Sequence, residues 1–327
     1  MKRHLKIGKR SGSGLTFQVL SDDELHDIHA ATLEILWKTG IFVEDEEALE
    51  LFAGGGAAVD ATTKTVKIPP SMIEDAVQSA PEIVTLAGRF PENDLLLEPN
   101  RVYFDCFGEG IQLFDRHTRE LRAPLKADLA EATRLIDALE HIDICHRSLG
   151  SHDVTPELAA LHNAETILSN TTKHTFLAAG SGPILDKIIQ MMALIVGGED
   201  KISERPILTS GSCAVSPLRL PRDCCEVVMM SARRGLVSKV LTQCMSGGSS
   251  PVTMAGTLAL HNSEVLAGCI LSQLAKKGSP FIYASSTCSM DLRFGAAVVG
   301  NPETALMNAA IAEIAKYYLL PVQVAGG

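Results

Sequence analysis

The chain has 327 residues, 46% of them hydrophobic, with 39 acidic against 29 basic side chains and a net charge of −10. That is enough for one large α/β domain with an appendage, and too acidic, with only 5% aromatics, for a broad nucleic-acid footprint. The eight cysteines (Cys106, Cys145, Cys213, Cys224, Cys225, Cys244, Cys269 and Cys288) form no CxxC or CxH pair with metal-ligand spacing. No metal site is therefore expected, and the thiols read as small core residues in a reducing compartment. The basic start MKRHLKIGKR is followed by SGSGLTFQVL, which lacks a signal-peptide apolar core, and no apolar run reaches the ~18 residues of a membrane span. A soluble cytoplasmic protein is the expectation.

Residues 1–14 read as a basic tail. Ser21 caps a helix with an acidic first turn that carries Leu25, Ile28, Leu33 and Leu36 at helical spacing to about Gly40. A second helix follows from about Asp45 to Phe52, a short extended piece lies at Val66–Pro70, and a third helix covers Ser71 to Ser79. Short strands are expected at Ile83–Leu86 and Asp94–Leu97, so residues 15–100 form a mostly helical cap. From residue 101 short apolar strands alternate with longer amphipathic helices. Strands are predicted at Val102–Phe107, Ile142–Leu149, His174–Ala179, Pro206–Cys213, Val237–Met245, Pro280–Ser286 and Pro321–Ala325. The helices fall at 127–139, 155–169, 184–196, 221–234, 254–276 and 302–319. This alternation predicts a parallel sheet with helices outside, and seven strands with small residues at their carboxyl ends favour a TIM (β/α)8 barrel over 101–327 that lacks its last strand and helices.

In such a barrel the working face gathers the strand ends. Val237–Met245 runs into Ser246-Gly247-Gly248-Ser249-Ser250 and then a long helix, a turn longer than an ordinary βα loop, whose glycines let a large flat ligand or partner approach the backbone. The first turn of that helix would add unpaired N–H groups. Glu109, between two glycines at a strand end, is placed for acid/base work or for holding a cation; a solvated loop glutamate is the plain alternative. His152-Asp153 offers a proton shuttle or orienting pair, with a helix cap as the alternative. Tyr283, a rare aromatic inside a strand, either points into the barrel toward substrate or fills the core. His174, at a strand start, and His261, in mid-helix, read as structural; Asp291 and Arg293 read equally well as salt-bridged loop residues. There is no GxSxG elbow, P-loop, HExxH or GxGxxG between strand and helix.

The runs CFGEG (106–110), MSGGSSPVTMAGTLALHNSEVLAG (245–268), YASST (283–287), GNPE (300–303) and LPVQVAG (320–326) resemble the corrinoid-dependent trimethylamine methyltransferase family, across nearly the whole chain. The resemblance implies a TIM barrel that moves a methyl group from a tertiary or quaternary amine to the cobalt of a cobalamin-type corrinoid. That corrinoid is carried by a separate corrinoid protein, and no tightly bound cofactor is expected. For that chemistry Glu109 is expected to stabilise the cationic substrate or handle a proton, Tyr283 and His152 to orient it, and Ser246, Gly247, Gly248, Ser249 and Ser250 to form the loop nearest the corrinoid. A homo-oligomer without membrane or nucleic-acid partners is also expected. Some family members carry pyrrolysine directly after the strand matched by Pro321–Ala325; others have glycine there and act on quaternary amines such as betaines. The chain ends at this position, so either pyrrolysine would follow Gly327 or Gly327 itself would occupy the reactive place. The alternatives in function are a glycine-type betaine demethylase and, in another class, an inactive fragment with only a binding role.

Overall fold

A computed structural model describes residues 9–10, 17–99, 101–106 and 108–326 of the chain. Helix α1 (Asp22–Glu34) starts on a reciprocal capping box, Ser21 accepting from the Glu24 amide while the Glu24 carboxylate accepts from the Ser21 amide. It continues into one π-helical turn, Ile35–Thr39, and stops at Gly40. There φ is 82° and a Cβ would stand 2.7 Å from the Val66 carbonyl, so only glycine fits. Helix α2 (Glu46–Gly54) is capped by Asp45, which accepts from the Ala48 amide at 2.9 Å, and α3 (Pro70–Ser79) opens on a proline whose missing N–H costs nothing there.

Beyond residue 120 the alternation runs as helix α4 (Lys126–Ala138), strand β1 (Ile144–His146), α5 (Ala159–Asn170), β2 (His174–Ala178), α6 (Gly182–Val196) and β3 (Leu208–Cys213). It continues with α7 (Arg222–Arg234), β4 (Val237–Thr242), α8 (Met254–Ala275), β5 (Phe281–Ser285), α9 (Pro302–Tyr317) and β6 (Val322–Val324). Each predicted strand from the second onward, and each helix after residue 101, is found, most with boundaries drawn in by a few residues. The first predicted strand is not. Among the described residues of Val102–Phe107 only Val102 is in a strand, as half of the two-residue piece Arg101–Val102 paired antiparallel with Lys9–Arg10, and Asp105 meets β1 through a parallel bridge to Ile144. A second bridge, Gly110↔Leu149, follows after Glu109 has turned through left-handed backbone at φ 66°, which breaks a regular ladder. The incomplete TIM barrel is thus realised in part, as parallel strands alternating with helices; no closed barrel is present among the described residues. The tail expected over 1–14 lies outside them apart from Lys9 and Arg10.

The chain divides into two compact units that do not follow chain order. One comprises Thr85–Gly211 with Arg234–Val237 and the tail; the other comprises Gly14–Val84, Ser212–Arg233 and Ser238–Gly327. Residues 17–84 therefore group with the C-terminal strands, and residues 85–99 of the cap expected over 15–100 group with the first unit.

In the first unit β1 pairs in parallel with β2 and β2 with β3, in the registers Ile144↔His174 and Thr175↔Leu208. Helices α4, α5 and α6 pack in succession, closing Leu129, Ile136, Ile167, Leu185 and Ile188 from water. Buried Lys173 donates to the carbonyls of Ile136, Leu139 and Ile142 at 2.5, 2.7 and 2.6 Å, placing an ammonium on the negative end of α4. His174 is fully buried, with Nδ1 2.9 Å from the Ala87 carbonyl and Nε2 2.8 Å from Thr209 Oγ1, in keeping with its structural reading.

In the second unit β4 pairs with β5 and β5 with β6, again in parallel (Ser238↔Phe281, Tyr283↔Val322). Every residue of α8 from Thr257 to Gln273 is buried, against α1, α2, α3, α9 and β5 among others, as a helix apolar on nearly all sides must be. Gly268 lets α8 lie on β4: a Cβ there would stand 2.7 Å from Val240 Cγ2.

Candidate functional site

In the first unit Gly108 and Gly110 lie over the carboxyl end of β1, where the glycines permit close approach. A Cβ on Gly108 would stand 2.9 Å from His146 Cε1, and one on Gly110 would stand 3.1 Å from Leu149 Cδ2. The residue that takes the left-handed conformation is Glu109 itself, an arrangement that costs a non-glycine residue about 1 kcal/mol and recurs at functional sites. Its carboxylate is half exposed and accepts from Arg147 Nη2, one residue beyond β1. An ion pair this open contributes only about 0–1 kcal/mol to stability, so Arg147 orients the carboxylate more than it stabilises the fold.

Gly150 lies between the two side chains singled out from the sequence: its Cβ would stand 3.3 Å from His152 Nε2 and 3.6 Å from Glu109 Oε1. Glu109 and His152 therefore converge above one bare stretch of backbone. Ser151 anchors the turn, its hydroxyl donating to Asn163 Oδ1 of α5 at 2.7 Å. Asp153 does not form a pair with His152 but accepts from the Lys126 amide at 2.7 Å, in the first turn of α4. Beneath Gly108, His146 Nδ1 lies 3.3 Å from Asp105 Oδ2, and the nearby Cys106 thiol is pushed up to about 11, chiefly by burial. Arg147, Asn163 and the Asp105–His146 contact were missed in the sequence; the only signal was their position at a strand end or opposite one.

In the second unit the turn after β4 is held by its own polar groups. Ser246 Oγ donates to the Val252 carbonyl at 2.9 Å, Ser249 Oγ accepts from the Met245 amide at 3.0 Å, and Ser250 Oγ shares a hydrogen bond with Thr257 Oγ1 at 3.0 Å. The serine hydroxyls thus secure the turn, and what it offers outward is backbone. Gly247 sits at φ 86°, while a Cβ on Gly248 would overlap Met290 Sδ. Thr253 caps α8 by accepting from the Gly256 amide, so one of the N–H groups expected to be unpaired is taken. Asp291 accepts from the Arg293 amide at 2.8 Å and shapes the neighbouring hairpin turn.

Tyr283 requires a correction. Its ring points to the helix side of β5 and is fully buried, and its hydroxyl donates to Asn262 Oδ1 at 2.9 Å while Nδ1 of His261 lies 3.1 Å away. Asn262 in turn donates to Thr32 Oγ1 and to the Tyr318 hydroxyl, which lies 2.9 Å from His29 Nδ1. The phenol is engaged in this network on the helix side of the strand. His261 is its closed end: burial depresses its ring to about 3, so it stays neutral. Gly327 lies outside the described residues.

Parallel strands whose carboxyl ends open into glycine- and serine-rich turns place the chain among α/β proteins that work from the strand-end face. More narrowly, the chain belongs to the trimethylamine methyltransferase family: the family model described as Trimethylamine methyltransferase (MTTB) matches residues 9–327. Trimethylamine methyltransferase MttB of Desulfitobacterium hafniense is 44% identical over 327 residues, 100% of this chain and 66% of that protein. The Methanosarcina thermophila MttB is 36% identical over 330 residues, 99% of this chain and 68% of that protein. A glycine betaine methyltransferase of D. hafniense is 29% identical over 312 residues, 95% of this chain and 64% of that protein. Among solved structures, the Methanosarcina barkeri monomethylamine methyltransferase MtmB superposes with a TM-score of 0.57 at 12% identity, covering 93% of this chain and 67% of that one; this shows likeness of fold. The chain spans about two thirds of the length of the curated relatives it matches.

Proposed function

We propose that this chain transfers a methyl group from trimethylamine, or a closely related methylated amine, to the cobalt of a corrinoid carried by a partner protein. The observation that carries this reading is the 44% identity to a trimethylamine methyltransferase without a break in coverage of the chain. In the reaction the methyl carbon leaves nitrogen for reduced cobalt: the C–N electron pair stays on the departing amine, and the cobalt supplies the pair for the new bond. The protein's share is to hold the ammonium centre, orient it and keep water away.

Glu109 suits the first task. Its carboxylate is fixed by Arg147 yet half exposed, and His152 faces it across Gly150, so a cationic amine meets a negative group with no Cβ in between. The turn after β4 suits the methyl acceptor. It presents bare backbone at Gly247 and Gly248 beside the exposed side chains of Val252 and Leu292, a flat apolar surface against which a large ring can lie. The barrel expected from the sequence, the corrinoid protein as partner, a homo-oligomeric state and a cytoplasmic location form part of the same proposal.

The test is methyl transfer to cob(I)alamin with trimethylamine against glycine betaine, followed by formation of methylcobalamin. Turnover of trimethylamine alone supports the proposal. Turnover of glycine betaine alone replaces it with the glycine-type reading, which the 29% identical betaine enzyme favours. Silence with both amines leaves only a binding role.

A further inference from the structure

Helix α8 has one charged side chain inside its buried stretch, Glu264, and it is 0% exposed. A carboxylate in such a place is expelled unless donors are built around it. Here Oε1 accepts from the Leu218 amide at 2.9 Å, and Oε2 accepts from Ser216 Oγ at 2.8 Å, from Thr242 Oγ1 and, at 3.5 Å, from Cys244 Sγ. All four donors are uncharged. The Cys244 thiol remains a donor because burial first and the Glu264 charge second push it up to about 12. One side chain thus joins α8, the 216–218 turn and the end of β4.

The ties run onward to the turn proposed to face the methyl acceptor. The Cys244 carbonyl accepts from the Cys288 amide at 3.1 Å, and the next residue, Met245, accepts from the amides of Gly248 and Ser250 at 2.9 and 3.1 Å. At the far end of the turn Thr257 donates to the Pro251 carbonyl at 2.8 Å. Thr257 and Glu264 are seven residues apart, two turns along one face of α8. The helix therefore grips the turn by two polar points, one at each end.

We propose that Glu264 is a positioning residue for methyl transfer, its buried carboxylate setting the conformation of the 245–250 turn against which the acceptor lies. The proposal rests on the functional reading above for the role of that turn, and the measurements are chosen to separate the two. Glu264→Gln keeps an oxygen for the Leu218 amide and offers its NH2 to hydroxyls that can rotate to accept. Glu264→Ala removes the hub, and Thr242→Val removes one donor without changing shape.

In the full enzyme, Glu264→Ala is expected to raise KM for cob(I)alamin about tenfold while KM for the amine stays within about twofold, and Glu264→Gln to hold both within about threefold. Amide exchange over 244–250 should accelerate about tenfold in Glu264→Ala and remain near wild type in Glu264→Gln, with Thr242→Val between them and serving as the test should the alanine variant not fold. Unchanged exchange over 244–250 in Glu264→Ala, equal rises in both KM values, or a glutamine variant as impaired as the alanine one overturns the proposal. A wild-type protein that passes no methyl group to cob(I)alamin defeats the functional reading alone, since exchange still reports whether Glu264 fixes the turn.

Discussion

Glu109 and Glu264 are both carboxylates tied to a strand end, and they are built in opposite ways. Glu109 sits on a loop, half open to solvent, with one cationic partner and a backbone conformation it does not prefer. Glu264 sits on the most enclosed helix of the chain, shielded from solvent, with neutral donors only. An exposed carboxylate costs the fold little when altered, whereas a buried one must be satisfied completely.

Stability measurements break that contrast most directly. Glu264→Leu strands the Leu218 amide and two hydroxyls in the interior and should cost roughly 3–4 kcal/mol in urea unfolding. A loss under 1 kcal/mol would mean that water reaches these groups and that the burial contrast is false. The next effect is acid sensitivity of the buried side. His261 has a folded value of about 3 against an ordinary 6.5, so below pH 6.5 the unfolded chain takes a proton that the folded chain refuses. Stability should be full above 6.5, fall by roughly 2–4 kcal/mol between pH 6.5 and 3, and level off below. His29, lowered chiefly by burial, acts in the same sense, and His261→Gln should remove most of the slope in pH-dependent melts.

Two smaller effects sharpen the contrast. Gly268→Ala drives a methyl group into Val240 and should cost about 1–3 kcal/mol, because strand and helix are both fixed by their packing. Glu109→Gln should leave stability within about 0.5 kcal/mol while raising KM for the methylated amine about tenfold. A stability loss beyond 1 kcal/mol with unchanged KM would move Glu109 from ligand handling to structure.

The architecture was legible where pattern and packing agree. The helices from Lys126 to Tyr317 carry amphipathic or apolar periods, and the capping residues Ser21, Asp45 and Asn301 mark the starts of α1, α2 and α9. The Val102–Phe107 strand was misread because an apolar, aromatic run says nothing of the left-handed turn at Glu109 that follows it. The serines at 246–250 and the pair Glu109 and His152 stood out as polar residues at strand ends. Tyr283 stood out as a rare aromatic inside a strand and lies on the helix side, since strand alternation alone does not tell the barrel side from the helix side. Glu264 was visible as a lone charge within an apolar run, but its donors Ser216, Thr242 and Cys244 lie 20 to 48 residues away in the chain, and only the fold brings them together.

The enclosure of α8 from Thr257 to Gln273 has a consequence for how the protein is made. A helix with no wet face cannot wait in water, and its cover comes from both sides of the sequence: α1 and α3 precede it, while β5 and α9 follow. At about 5–20 residues per second of synthesis, the preceding helices are ready when α8 emerges from the ribosome, but α9 arrives seconds later. During that interval the apolar stretch from Thr257 to Gln273, with its single carboxylate, lacks part of the cover it has in the folded chain.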